Sequence, residues 1–131
     1  MAPRSFDWTV EADVKFLMLI HYDERAYEAI EDKTPILQEC GRVVEDVARR
    51  GQFLAAAQLH PTTTATSVRV RGGKRRVTDG PFAETREQLA GFLLVDAANL
   101  DDAIAIAGTL PPARFGTIEV RPILEDKGET R

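Results

Sequence analysis

The stretch Val14-Lys15-Phe16-Leu17-Met18-Leu19-Ile20-His21-Tyr22 decides the fold. Val14, Phe16, Met18, Ile20 and Tyr22 share one face at the two-residue period of a strand, and Leu17 and Leu19 make the other face apolar as well. A strand that is apolar on both sides belongs in the middle of a sheet with both faces covered. His21 falls at the C-terminal end of this strand, on the face of Leu17 and Leu19.

Working outward, residues 23–33 form a connection with a short helical turn around Ala26, Tyr27 and Ile30. Pro35 suits a first helical turn, and Ile36, Leu37, Cys40, Val43, Val44 and Val47 recur at helical spacing. Arg49 and Arg50 complement the helix dipole and Gly51 supplies the left-handed cap, so the pattern predicts a helix over residues 35–50 with Cys40 on its apolar stripe as a small core residue. Residues 53–60 read as a strand closed by Pro61. Residues 67–71 and 74–78 flank Gly72-Gly73, a hairpin turn whose register sets Arg71 against Lys74 and Val68 against Val77. Residues 89–96 form another two-sided strand, Asn99 caps a helix that ends at Pro111-Pro112, and residues 117–124 form the last strand.

The order is β, α, β, hairpin, β, α, β. With the hairpin set aside it is a ferredoxin-like α+β domain, an antiparallel sheet with two helices on one face. The two-sided strands then require a cover for the opposite face, and a second copy of the chain is the simplest one, giving a homodimer. Residues 1–13 carry no sustained period and read as a flexible N-terminal arm, residues 14–124 form the domain, and residues 125–131 read as a frayed tail.

Length and composition agree with one such domain: 131 residues, 44% hydrophobic and 29% charged. The longest uninterrupted apolar runs, residues 16–20 among them, are five residues, too short for a membrane helix. With a net charge of −4 and no secretory leader in view, a cytoplasmic protein that binds neither nucleic acid nor membrane is expected. One cysteine and two histidines exclude an internal disulfide, a multi-cysteine zinc site and a three-histidine centre, so neither a metal nor another cofactor is expected.

Candidate chemistry gathers around Thr78-Asp79-Gly80-Pro81-Phe82. Asp-Gly-Pro is turn chemistry, and a turn this rigid also fixes a carboxylate and a ring at the mouth of a cavity. Asp79 is therefore the candidate base, with His21 or His60 as proton donor or relay. Pro81, Phe82, Glu84, Arg86, Phe92 and Met18 are the candidate binding residues: carboxylate and guanidinium for polar contacts, the rest for an apolar wall. Arg69, Arg71, Lys74, Arg75 and Arg76 concentrate positive charge on the hairpin, without the interleaved aromatics or recognition helix of a nucleic-acid binder.

Residues 77–92, VTDGPFAETREQLAGF, closely resemble the signature of the DGPF-domain proteins, a bacterial group within the YCII-related family. Residues 15–20, 65–71 and 118–122 agree in order, so the resemblance spans roughly residues 14–124. It implies a ferredoxin-like domain pairing into a dimeric α/β barrel. The wider family's His–Asp pair would place its Asp on Asp79, whereas the helix that would carry its His has Gln38 and Glu39 there. The resemblance also implies a link to extracytoplasmic-function sigma factors. Two readings follow. One is a cofactor-independent enzyme doing acid/base chemistry (elimination, isomerisation or lactone rearrangement) on a small organic molecule. The other is a non-catalytic dimer that binds a small ligand or a regulatory protein through the arginine-rich hairpin.

Overall fold

The computed structural model describes residues 14–124; the expected N-terminal arm and C-terminal tail lie outside the described residues. The elements are β1 (Val14–Tyr22), α1 (Glu24–Glu28), α2 (Thr34–Arg49), β2 (Phe53–Gln58), β3 (Thr66–Arg71), β4 (Lys74–Asp79), β5 (Gln88–Ala97), α3 (Leu100–Thr109) and β6 (Thr117–Pro122). Short 3₁₀ turns occupy Thr62–Thr64 and Pro111–Arg114. β2, β5, β1 and β6 form an antiparallel sheet in that order, compatible with a ferredoxin-like fold, while β3 and β4 form a separate two-stranded ribbon.

The expected end signals operate. Asn99 accepts from the Asp102 amide at 2.9 Å at the start of α3, and Gly51 beyond α2 has φ 75°. Gly72 and Gly73 take φ 57° and 77°, the twist a two-residue hairpin needs, and set Arg71 against Lys74 and Val68 against Val77. Two strands end earlier than their hydrophobic pattern suggests. β2 stops at Gln58, after which the Leu59 amide still bonds to the Ala90 carbonyl before Pro61 starts the next turn. β6 stops at Pro122, leaving Leu124 95% exposed.

The core lies on one face of the sheet. Val14, Phe16 and Met18 of β1 and Leu93, Val95 and Ala97 of β5 face Val47 of α2 and Ala103, Ile106 and Ala107 of α3. Burying each large side chain there contributes about 1.5–3 kcal/mol. On the opposite face Leu17, Leu19, Phe92 and Leu94 are only half-buried, and no element among the described residues packs over them.

Two features shape the region under α2. Its C-terminal half packs down through Val47, but farther up Ile36, Cys40 and Val44 are only partly buried and Leu37 is 48% exposed. The strand facing them, β2, presents Ala56 beside Leu93 on that side, too small to fill the gap. A short brace holds the α2 end in place: Arg114 donates from both terminal nitrogens to the Glu39 carboxylate at 3.0 and 2.9 Å, which draws the Glu39 carboxyl below the usual range.

Candidate functional site

The wedge between α2 and the sheet is a chamber of about 250 Å³. Its walls are apolar (Ile20, Ile36, Leu37, Val44, Ala56, Leu93 and Leu110 among them), and Tyr22, Tyr27, Cys40 and Gln58 supply its polar groups. No charged side chain lines it among the described residues. The chamber shares Tyr22, Tyr27, Leu37, Gln58 and Ala90 with a vestibule of about 510 Å³ that adds Glu24, Glu28, Lys33 and His60. Apolar depth with a few convergent polar groups is the usual make-up of a small-molecule site.

The tyrosines are held by stacking. Tyr22 at the end of β1 and Tyr27 on α1 have ring centroids 4.5 Å apart at 21°, and Phe115 packs against them at 5.8 and 6.3 Å. Lys33 Nζ lies 5.3 Å over the Tyr27 ring and donates to the Ile30 carbonyl at 3.0 Å. α1 is positioned by Asp23, whose Oδ1 accepts from the Arg25 and Ala26 amides at 2.9 and 3.2 Å. Glu24 fastens the turn after β2, accepting from the Thr62 amide at 2.9 Å and the Thr62 hydroxyl at 2.6 Å.

Burial raises the Tyr22 and Tyr27 phenols and the Cys40 thiol. Proximity of the two phenols adds to the rise at Tyr22, Glu39 adds to that at Cys40, and a hydrogen bond with Gln58 partly offsets it at both tyrosines. All three groups are thus protonated donors near neutral pH. Unfolding frees their protons at lower pH than the folded state does, so stability should fall as pH rises through the ordinary thiol and phenol range, from about 9 to 10. Urea denaturation at pH 7.5, 9 and 10.5 checks the sign; rising stability over that interval contradicts it.

The residues singled out in the sequence are dispersed over the fold. His60 lines the vestibule. His21 lies on the opposite side of the sheet, its Nε2 shielded from solvent, without a hydrogen bond and 3.4 Å from Glu119 Oε1. Asp79 ends β4 with an exposed side chain, and no hydrogen bond or ion pair among the described residues joins it to either histidine. Phe92 lies in the strand that floors the chamber, although its register beside Leu19 puts it on the open face of the sheet; Met18 is fully buried in the core, and Phe82 is 82% exposed. Pro81, Glu84 and Arg86 share an open polar groove of about 820 Å³ with Asp23, Glu24 and Arg25, where Arg86 Nε approaches Asp23 Oδ2 to 3.5 Å. Glu24 borders both vestibule and groove, so the two regions adjoin.

The Asp-Gly-Pro corner is built by backbone. The Gly80 amide donates to the Ala65 carbonyl at 2.7 Å, and the Ser67 hydroxyl donates to the Gly80 carbonyl at 2.8 Å. The Asp79 carboxylate takes no part, so Asp79→Asn is expected to change unfolding free energy by less than about 0.5 kcal/mol. A larger loss in chemical denaturation would show that the carboxylate supports the turn.

Tyr27 and Gln58 were legible only as members of a turn and a strand. The available signal was Ala56 and Gln58, two residues apart on one face of a strand and opposite an apolar helix, the first leaving room and the second supplying a polar group. Among the described residues no cluster of three or more His, Cys, Asp or Glu side chains is arranged to hold a metal ion, and no helix is long and apolar enough to cross a membrane.

These features describe a small α+β protein with a ligand-sized chamber between its antiparallel sheet and its helices. The chain belongs to the YCII-related domain family, whose model matches residues 14–127. It is 38% identical over 112 residues to an uncharacterised protein of Rhizobium meliloti (strain 1021), an alignment covering 82% of this chain and 90% of that relative.

Proposed function

We propose that this is a DGPF-type member of the YCII-related family, a cytoplasmic homodimer closing two sheets into an α/β barrel, and that each chamber takes up a small, uncharged, ring-sized organic molecule. One observation carries the ligand class: the chamber wall has neutral donors at Tyr22, Tyr27 and Gln58 and no charged side chain among the described residues. An ionised ligand would leave water without an opposite charge to meet, whereas a neutral carbonyl or amide finds donors. The half-buried apolar residues on the other sheet face support the homodimer.

Binding of benzamide and benzoate, followed by amide chemical shifts, tests this reading. Benzamide should perturb Tyr22, Tyr27 and Gln58 saturably, and benzoate should bind at least tenfold more weakly. Ala56→Phe, which fills the chamber from an exposed position, should abolish the benzamide response. Equal or tighter benzoate binding, or no saturable response, would overturn it. A second reading, acid/base catalysis on the bound molecule, is favoured by His60 sharing the vestibule with Tyr22 and Tyr27. Asp79 enters that chemistry only if a second copy brings it there.

A further inference from the structure

Helix α2 rests on two different footings. Val43 and Val47 pack against the core, and beyond the helix the Gln52 amide bonds the Val47 carbonyl at 3.0 Å. Ile36, Leu37 and Cys40, in the first half, border the chamber instead and take no part in the core. Among the described residues, the only side-chain hydrogen bonds that tie residues 34–40 to a distant element run from Arg114 to Glu39. The Arg114 side chain is 58% exposed and that of Glu39 35%, so water screens the pair and it holds weakly.

Gly41 divides the halves. A methyl group added there would meet no atom within 4 Å, so packing does not call for glycine. The helix continues through it from Thr34 to Arg49, so no turn calls for it either. Glycine inside a helix still weakens it relative to alanine, because its backbone leaves helical angles more readily. The weakest link of α2 therefore falls between the half anchored in the core and the half that covers the cavity. Leu37, 48% exposed where chamber and vestibule meet, shows apolar surface still open to burial.

We infer that residues 34–40 form a lid, hinged at Gly41 and caught by the Glu39–Arg114 pair, that swings down on a molecule in the chamber. Closure lays Ile36 and Leu37 against the ligand, and the apolar surface withdrawn from water drives the motion. The bidentate geometry of Glu39 and Arg114 opposes it, since a bend at Gly41 displaces one partner from the other. This inference rests on the ligand reading proposed above and adds how that site opens and shuts.

Relaxation dispersion on backbone amides of the whole chain, with benzamide as the probe, tests the lid. Microsecond-to-millisecond exchange is expected across residues 34–40 and not across 43–49, and saturating benzamide should quench it. Gly41→Ala should raise the melting temperature by about 2–5 °C and yet raise the benzamide dissociation constant at least threefold, because alanine resists the bend. Glu39→Gln, which removes the charge from the catch, should speed the exchange at least twofold. A chain that binds benzamide saturably without such exchange, or whose affinity Gly41→Ala leaves unchanged, overturns the lid and leaves the ligand reading standing. Loss of self-association in Gly41→Ala with benzamide affinity intact assigns position 41 to a subunit contact and likewise overturns the hinge. Absence of any saturable benzamide response overturns both.

Discussion

Replacing Gly116 by alanine is expected to lower the melting temperature by roughly 10 °C, from a loss of about 3 kcal/mol. Gly116 lies between the Pro111–Arg114 turn and β6, and its amide donates to the Pro112 carbonyl at 2.7 Å. A methyl group there would run into the His21 carbonyl oxygen and come within 2.9 Å of Tyr22 Cβ. The first obstacle is backbone of the central strand, so relief requires β1 to move or the turn to lift. Lifting the turn carries Phe115 away from the tyrosine pair, so the near-ultraviolet dichroism of the cluster should weaken along with stability. Calorimetry showing an unchanged melting temperature would mean that the turn yields freely and that Phe115 is not fixed by this contact.

Met18→Ala is expected to cost about 2–5 kcal/mol. The side chain is fully buried in the core with Leu93 opposite it on β5 and Ile106 and Val47 in the same cluster. Such surroundings close only partly around a cavity. Met18 does not border the chamber, so the folded variant should bind benzamide with unchanged affinity. A variant that keeps its melting temperature and loses the ligand would reassign Met18 from core to binding wall.

Element types were legible because their patterns are strong: β1 and β5 are strand-length runs apolar on both faces, α2 repeats at three and four, and Gly72-Gly73 specifies its turn and register. Strand ends were less legible at β2, where Leu59 and His60 continue the pattern after the ladder stops. The site was legible only in part. Local chemistry pointed to the Asp-Gly-Pro corner, whose rigidity proves to be backbone hydrogen bonding. The chamber depends on how α2 lies over Ala56 of β2, a property of two distant segments that neither contains alone. His60 was visible as a histidine at a strand end, but its companions come from elsewhere, Tyr22 from the end of β1 and Tyr27 from α1, a helix of five residues.

β2 lies at an outer position of the sheet, bonded only to β5. Among the described residues no strand pairs with its other rim, and Phe53–Gln58 carries no charged residue to discourage strand addition. The irregularity between Phe53 and Ala55 interrupts that rim close to its start. A bulge at that place bends the strand and shortens the straight stretch of rim on which a further strand could pair.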